Sequence, residues 1–555
     1  MVTPRSPPSF DHARASPNMA SPSDYTSFFD HVSRTIGAEN VSRDGSSGAL
    51  AGPSGQTAYG DLYPLGGERG TSPVGAIRPQ TVEEVQEVLR AANKFGVPLW
   101  TVSRGKNLGY GGTAGVLGSS VTLDLQRMNR ILEINEELAY AIVEPGVSFF
   151  DLYEEVTRRQ LKLWPSVPAI GWGSVVGNTM DRGFGYTPDG EHVNAQCGIE
   201  VVLPNGEVMR TGMGAMTDSK LFALYKPGFG PSVDGLFSQS NLGVVTKMGI
   251  HMTPAPEAFC DVTVSVDGEA DLVPLIDTLG DLLRRRIITN SPSVANVFRQ
   301  LVISPDPEVA AVAKTLVAPD QAVPYATLEA LRTRFGWGFW KSDFALYGTP
   351  EIVEAQLRAV QRAFAPVAGA RVRHKLFVAS PPATALTAHD IGPEEIPHAG
   401  MPTLAPLAMM NSRGDGCGHV SFSPLIPPCG RDVYAWYCAA RDLTTAARFD
   451  FFADFHLYAR YTIAIELVVF ADAERDRMRG LFQQLLDDAA ARGYSEYRTH
   501  VAFMDDVAAH FDYNDRALHR FVGHIKDLVD PNHILSPGKS GIWGSDSAPA
   551  RANRT

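Results

Sequence analysis

The sequence predicts an α+β protein with two domains, and two observations support this prediction. Up to Pro254 the chain is rich in glycine and alternates short apolar strands with helical patterns, whereas residues 256 to about 490 have a lower glycine density and the pattern of helices plus strands. The chain of 555 residues is also long enough for two or three domains with a large core. We therefore expect the central α+β region to form a domain of its own.

Few elements are expected before residue 75. Residues 1–23 are rich in Pro and Ser and lack a periodic apolar pattern, so we expect this segment to be disordered. Residues 24–38 predict a short amphipathic helix behind a Ser23–Asp24 cap. The Gly/Ser-rich stretch 45–60 predicts a loop.

From residue 75 the pattern is typical of an α/β region with a hairpin after it. The helix after Thr81 has an N-cap and an acidic first turn, and Pro204–Gly206 is a hairpin signal. The glycine-rich loop at 103–112 is not GxGxxG, so a Rossmann dinucleotide fold is not supported. We expect strands at 75–79, 97–102, 121–125, 139–143, 198–203 and after 238–243, and helices from 81, at 149–162 and at 508–528.

Composition and charge exclude several classes of function. The formal net charge of −12 argues against nucleic acid and against an anionic membrane surface as partners. The five cysteines include no CxxC pair, so we expect reduced cysteines and no metal site. No signal segment, peroxisomal tail or apolar run near ~18 residues is present, so we expect a soluble, cytoplasmic protein.

The loop at 103–112 follows a strand and is a candidate anion site. Its glycines let backbone N–H groups approach a pyrophosphate closely, and its two cations could add charge. The alternative is an ordinary glycine-rich turn. The loop consists of Ser103, Arg104, Gly105, Lys106, Asn107, Leu108, Gly109, Tyr110, Gly111 and Gly112.

A second glycine-rich string spans residues 171–190. Six of its twenty residues are glycine, which is too many for a good core but suits a backbone wrapped around a flat ligand. It contains Gly177, Asn178, Asp181 and Arg182. The alternative for Asp181 and Arg182 is an ion pair at a surface turn.

Two further motifs carry candidate chemistry. His419 lies on an expected strand, where a lone histidine is commonly a core residue and a metal ligand is a weak alternative. Tyr497–Arg498 combines a hydroxyl donor with a fixed fork of charged donors. A phenol has a pKa near 10, so holding it as phenolate at neutral pH requires roughly 4 kcal/mol, which one Arg and two Tyr in a dry pocket could supply. The alternative is an Arg498–Glu496 surface pair.

Taken together, these strings resemble the vanillyl-alcohol oxidase/eugenol oxidase family of flavin-dependent 4-phenol oxidases. The resemblance runs from about residue 75 to residue 543 and is densest at 106–112, 177–188, 234–241, 496–505 and 537–541. It implies a two-domain fold with a p-cresol methylhydroxylase-type FAD-binding domain and an α+β substrate (cap) domain. The implied boundaries are 24–255 for the FAD domain (core from 75), 256–495 for the cap, 496–545 for a C-terminal return to the FAD domain, and 546–555 for a tail.

The resemblance also implies roles for individual residues. Tyr110, Tyr497 and Arg498 fall on the phenolate clamp, and Asp181 falls on the acid/base beside flavin N5. His419 falls where histidyl-FAD members of the family attach C8α of the flavin. The remaining cofactor-binding positions would be Ser103 to Gly109 for the pyrophosphate, Gly177 and Asn178, Val201 near the adenine, and Lys539 near the flavin ring.

The implied reaction is the oxidation of a para-substituted phenol. Vanillyl-alcohol-type 4-hydroxybenzylic alcohols, 4-alkylphenols and 4-allylphenols would lose hydride from the benzylic carbon to flavin N5 through a p-quinone methide. Asp181 would activate water or deprotonate a benzylic alcohol. Dioxygen would be reduced to hydrogen peroxide. Ser421, two residues after His419, stands where some relatives carry a bulky aromatic residue and would leave a roomier pocket.

The sequence also leaves functions other than a 4-phenol oxidase open. A flavin dehydrogenase of 4-alkylphenols would pass electrons to a cytochrome or another acceptor, although His419 favours the oxidase branch. No histidine occurs between His31 and His192, so the 103–112 loop lacks a second flavin attachment site of the bicovalent kind. A non-catalytic flavoprotein is disfavoured by the intact clamp. A homodimer is expected.

Overall fold

The computed structural model describes residues 20–44, 59–61, 63, 65, 72–382, 384–387, 390–391, 397–414 and 417–545. Residues 45–58 of the loop expected at 45–60, residues 1–19 of the expected disordered segment and the tail 546–555 lie outside the described residues. Among the described residues, no helix is long and apolar enough to cross a membrane. All five cysteines lie in the described ranges, and none forms a disulfide.

The N-terminal part forms a small mixed sheet covered by two helices. The strand order is β1-β2-β4-β3, with β2, β4 and β3 parallel and β1 antiparallel. The apolar faces of α1 and α2 pack against this sheet in one core cluster. The elements are α1 (Pro22–Ile36), β1 (Val41–Ser42), β2 (Gly75–Ile77), α2 (Val82–Phe95), β3 (Leu99–Val102) and β4 (Val121–Asp124).

A five-stranded antiparallel sheet follows, with the order β5-β6-β10-β8-β9. The turn predicted at 204–206 joins β8 to β9, as the hairpin signal requires. The elements are β5 (Ile131–Asn135), β6 (Tyr140–Val143), α3 (Phe149–Arg158), β7 (Leu163–Trp164), α4 (Val175–Met180), α5 (His192–Ala195), β8 (Gln196–Val202), β9 (Val208–Arg210), β10 (Val244–His251) and β11 (Thr253–Pro254).

The central region is built on a nine-stranded sheet with the order β15-β12-β14-β13-β18-β19-β17-β20, in which β16 also pairs with β19. Helices α6, α10, α11 and α12 bury one face of this sheet in the largest core cluster. The elements are β12 (Ala258–Val266), α6 (Leu272–Arg284), β13 (Ser293–Asn296), α7 (Val297–Ile303), α8 (Pro307–Leu316), α9 (Tyr325–Phe335), β14 (Trp340–Gly348), α10 (Pro350–Phe364), β15 (Arg371–Val378), β16 (Gly418–Phe422), β17 (Pro424–Ile426), α11 (Gly430–Ala446), β18 (Phe452–Leu457), β19 (Thr462–Phe470), α12 (Arg475–Ala491) and β20 (Ser495–Glu496).

Three expectations about local structure need correction. The first helix begins at Pro22 rather than Asp24, because Ser21 and Asp24 form a capping box; residues 22 and 23 are therefore helical and not disordered. The helix expected at 508–528 is divided into α13 (Met504–Ala509) and α14 (Tyr513–Val529), and residues 514–516 have left-handed φ angles. The glycine-rich string at 171–190 contains a short helix, α4, that the glycine pattern did not predict.

The end of the chain returns to the first sheet. The N–H of Leu99 donates to Ile534 O (2.7 Å), and the N–H of Ser536 donates to Leu99 O (2.7 Å). Lys526, which is 1% exposed, fixes this return because its Nζ donates to Asn241 O (2.7 Å) and Leu535 O (2.8 Å). The same Nζ lies 2.6 Å from Asp530 Oδ2.

We expect Lys526→Ala to lower the midpoint of thermal unfolding of the FAD-loaded protein by at least about 5 °C. The change leaves the buried Asp530 carboxylate without its cation and two carbonyl groups without a donor, and breaking such a pair costs several kcal/mol. The control is Lys314→Ala, which removes an exposed lysine on α8. Equal midpoints for the two variants would contradict the structural role of Lys526.

Candidate active site

The predicted anion loop lies between β3 and β4 and faces the N-terminus of α4. The side chain of Ser174 accepts a hydrogen bond from Gly177 N (3.0 Å) and caps α4. A Cβ on Gly177 would clash with Ser103 Oγ, so glycine lets the helix and the loop approach closely without displacing the Ser103 side chain. The structure therefore brings Ser103 and Gly177 together, as the prediction of a shared cofactor site requires.

The two cations of the loop point to the scaffold rather than outward. Arg104 Nη1 donates to Gly146 O (2.7 Å) and lies 3.6 Å from Asp151 Oδ2, which anchors the loop to the start of α3. Lys106 Nζ lies 4.2 Å from the centre of the Trp172 ring. Burial, and then the charge of Arg104, lower the pKa of Lys106 to about 8.

The predicted phenolate clamp is assembled from two distant segments. The guanidinium carbon of Arg498 lies 3.9 Å from the centre of the Tyr110 ring and 6.0 Å from that of Tyr497. The N–H of Val501 donates to Tyr110 O (3.2 Å), which holds the C-terminal motif against the loop. Tyr110, Tyr497 and Arg498 thus meet at one place.

The electrostatics of the clamp favour a charged Arg498 beside a neutral Tyr497. Burial, followed by Tyr110, raises the pKa of Tyr497, so Tyr497 stays a hydroxyl donor. Burial lowers the pKa of Arg498, but Tyr110, Tyr497 and Asp181 more than offset this, so the pKa lies above its usual value. Among the described residues, the buried Nε of Arg498 has no hydrogen-bond partner. An anionic oxygen would satisfy it.

Glu496 lies directly behind the clamp. It is 6% exposed, and its Oε1 accepts a hydrogen bond from Ser423 N (2.9 Å). Burial raises the pKa of Glu496 to about 8, against the opposing effect of Arg498. The carboxyl is therefore mostly protonated at neutral pH and does not cancel the charge of Arg498.

Asp181 and Lys539, which the family resemblance places beside flavin N5 and near the flavin ring, are direct partners. Lys539 Nζ donates to Asp181 Oδ1 over 2.7 Å, and both side chains keep about a fifth of their accessible area (18% and 22%). Asp181 is the C-cap of α4 and is followed by Arg182 in the left-handed region (φ 58°). This turn aims Asp181 away from the helix axis and toward the C-terminal segment.

Gln239 connects the acid/base candidate to the clamp, and the sequence reasoning gave it no role. Its Nε2 donates to Tyr497 O (2.6 Å) and to Asp181 O (3.4 Å), while its backbone N–H donates to Met180 O (2.7 Å). Gln239 lies in the 234–241 motif that carried the family resemblance. That motif was the available signal, but only the fold shows which residues its amide joins.

His419 is buried on β16 and contacts the predicted anion loop. A Cβ on Gly109, whose φ is 77°, would lie 2.6 Å from His419 Nε2. Burial, and then His500, lower the pKa of His419 to about 4, so its imidazole is neutral at neutral pH. Its Nδ1 is buried without a hydrogen-bond partner in the described part of the chain. His500 Nε2 in turn lies 3.0 Å from Asp61 Oδ2.

Three other predicted residues have clear places. Ser421 is buried on β16 opposite Leu467, on the same face as His419. Asn178 Oδ1 lies 2.7 Å from His192 Nδ1, which fixes the turn after α4. The side chain of Val201 packs in the core of the five-stranded sheet, so only its backbone can face a ligand.

The residues of this site fit FAD. The glycine-rich loop packs directly against the N-terminus of α4 at Gly177, and the buried Nδ1 of His419 and Nε of Arg498 have no protein partner among the described residues. Ser103 to Gly109 would hold the pyrophosphate, and His419, Asp181 and Lys539 would surround the flavin ring.

Comparison with known proteins identifies two FAD-related domains in this chain. Residues 73–212 match an FAD binding domain, and residues 428–540 match the C-terminal domain of FAD linked oxidases. The flavoprotein subunit of 4-cresol dehydrogenase (hydroxylating) from Pseudomonas putida is 35% identical over 478 residues, covering 85% of this chain and 88% of that protein. The 1'-carboxy-chondrochloren decarboxylase of Chondromyces crocatus is 31% identical over 494 residues, covering 83% and 89%.

Two solved structures share nearly the whole fold. A 4-ethylphenol oxidase from Gulosibacter chungangensis in complex with isoeugenol has a TM-score of 0.86 and 32% identity, covering 96% of this chain and 99% of that one. Substrate-bound p-cresol methylhydroxylase has a TM-score of 0.85 and 31% identity, covering 95% and 98%. The predicted fold class and the predicted family are confirmed. The chain belongs to the vanillyl-alcohol oxidase/p-cresol methylhydroxylase family and is an FAD-linked oxidoreductase.

Proposed function

We propose that this chain oxidises para-substituted phenols at the benzylic carbon and passes the electrons to dioxygen. The observation that carries the proposal is the clamp, in which Arg498 lies against Tyr110 and Tyr497 and keeps a buried donor without a protein partner in the described ranges. A phenolate oxygen supplies the charge and the acceptor that this arrangement lacks. The relatives named for 4-cresol and 4-ethylphenol support this substrate class.

The chain's own residues would act at both ends of the substrate. The clamp would stabilise the phenolate, and electron donation from that oxygen would make the benzylic C–H hydridic. Asp181, held by Lys539 and by Gln239, would accept the proton of a benzylic alcohol or of a water that attacks the p-quinone methide. FAD, when bound, would supply the hydride acceptor.

We also propose that His419 carries the flavin through an 8α-histidyl bond and that the protein is a homodimer. A neutral, buried imidazole with a free lone pair is a competent nucleophile, which supports the attachment. A covalent bond would raise the flavin potential and prevent loss of the cofactor. We further propose that the small side chain of Ser421 leaves a roomier substrate pocket.

A dehydrogenase is the second candidate. The 35% identity to the flavoprotein subunit of 4-cresol dehydrogenase supports it as strongly as the 4-ethylphenol oxidase supports an oxidase. In that case the electrons would pass to a cytochrome or another acceptor, and the clamp and Asp181 would keep the same duties.

One sample distinguishes these candidates. We expect 4-ethylphenol or vanillyl alcohol to bleach the flavin absorbance without oxygen, and air to restore the absorbance with release of hydrogen peroxide. Bleaching that only an added cytochrome or dye reverses would establish the dehydrogenase instead. A flavin that neither phenol bleaches would contradict both candidates.

We expect Arg498→Met to lower kcat/KM for 4-ethylphenol about 100- to 1000-fold, because it removes the charge that stabilises the phenolate. Arg498→Lys should recover part of this loss, since lysine restores a point charge but not the fork of donors. The control is Arg285→Met, which changes a side chain that is 71% exposed. A loss of only a few-fold in Arg498→Met would refute the clamp.

We expect the affinity for a phenolate ligand to fall as the pH rises through about 8, because Glu496 then ionises beside Arg498 and competes for its charge. Below that pH the carboxyl is protonated and the charge of Arg498 acts on the ligand alone. The measurement is the ratio of the Kd values of the native protein and Glu496→Gln, which cancels the ionisation of the ligand itself. A ratio that does not change with pH would show that Glu496 stays neutral.

A further inference from the structure

The sheet face that carries His419 and Ser421 also carries ionisable residues that the proposed function does not use. Directly opposed residues of antiparallel strands point to the same side of the sheet. Ser421 opposes Leu467, and Leu467 opposes Phe452 on β18. Asp454 and His456 follow Phe452 at intervals of two, so they share this face.

These two residues form a unit with an arginine. Arg299 Nη2 and His456 Nε2 lie 3.3 Å and 3.2 Å from the same oxygen, Oδ1 of Asp454. Burial would raise the pKa of Asp454, but Arg299 and His456 more than offset this effect, so the pKa lies below its usual value and Asp454 is a carboxylate at neutral pH. Arg299 and Asp454 keep 15% and 18% of their side-chain area, whereas His456 has none exposed.

The Nδ1 atom of His456 is a candidate hydrogen-bond acceptor. A carboxylate only accepts hydrogen bonds, so Nε2, which lies 3.2 Å from Asp454 Oδ1, is the nitrogen expected to carry a hydrogen. Within the described residues both ring nitrogens are buried without a hydrogen-bond partner of good geometry, and Nδ1, which faces away from Asp454, is the one that can accept a hydrogen bond. A buried acceptor without a donor is costly, and a ligand hydroxyl would satisfy it.

The position of His456 ties it to the substrate pocket. Its ring centre lies 4.4 Å from that of Phe184, which follows Asp181 by three residues. Phe184 and Tyr497 pack in the same cluster, together with Leu467 of the sheet face. Phe184 thus joins His456 to the turn that carries Asp181. We expect a para substituent that extends past the benzylic carbon to point toward this wall.

We propose that His456, oriented by Asp454, accepts a hydrogen bond from a hydroxyl on the para side chain, so that the enzyme selects 4-(hydroxyalkyl)phenols over their alkyl counterparts. This inference rests on the proposed function. A side-chain carboxylate fits less well, because Asp454 already engages the charge of Arg299. His398, on the other side of Tyr186, lies 3.4 Å from Asp261 and adds no spare cation.

The test compares kcat/KM for 4-(3-hydroxypropyl)phenol and 4-propylphenol, which differ only in the hydroxyl. We expect the native enzyme to prefer the hydroxylated phenol, and His456→Phe to reduce that preference about 10-fold or more, mainly through KM. His456→Asn, which retains an acceptor, should restore part of it. His510→Phe changes an exposed histidine and is the matched control.

A second variant tests the same proposal if His456→Phe does not fold. Asp454→Asn keeps the shape of the carboxylate but can present a donor to Nε2, so it should reduce the same preference. Equal preference in the native enzyme and in both variants, or no preference in the native enzyme, would overturn the inference while leaving the proposed function intact. Turnover of neither phenol would overturn both.

Discussion

The site depends on the buried positive charge of the Arg498 guanidinium and on the groups that surround it. A cation enclosed by protein needs compensation, and this one has two tyrosine rings and a neutral carboxyl around it, while Asp181 adds to the stabilisation of its charge. An anionic ligand oxygen would accept a hydrogen bond from the buried Nε of Arg498, which has no partner among the described residues. The proposed oxidation of phenols depends on this interaction.

The fold serves to bring distant segments to that cation. Tyr110 comes from the loop after β3, Arg498 from the segment after β20, and Asp181 from the end of α4. Val501 joins the first two through Tyr110 O, and Gln239 joins Tyr497 to Asp181. The nine-stranded sheet lies over them, with helices on its far face and His419 on the near one.

Local signals in the sequence predicted local structure well. The Thr81 cap, the turn at 204–206 and the glycines of the anion loop each depend on a few neighbouring residues. The Ser21–Asp24 capping box is also a local signal, but the helix start was predicted two residues too late. The Lys539–Asp181 pair, the Gln239 bridge and the shared face of Ser421 and His456 were not predictable, because each depends on contacts between residues far apart in the chain or on strand register.

The most direct test of the proposed clamp is a measurement of whether a bound phenol is ionised. The spectrum of 4-hydroxybenzaldehyde would be recorded with the FAD-loaded protein at a pH at which the free phenol is protonated. We expect binding to produce the phenolate band and Arg498→Met to abolish it. A bound ligand that keeps the spectrum of the neutral phenol would contradict the proposal that the charge of Arg498 stabilises a bound phenolate.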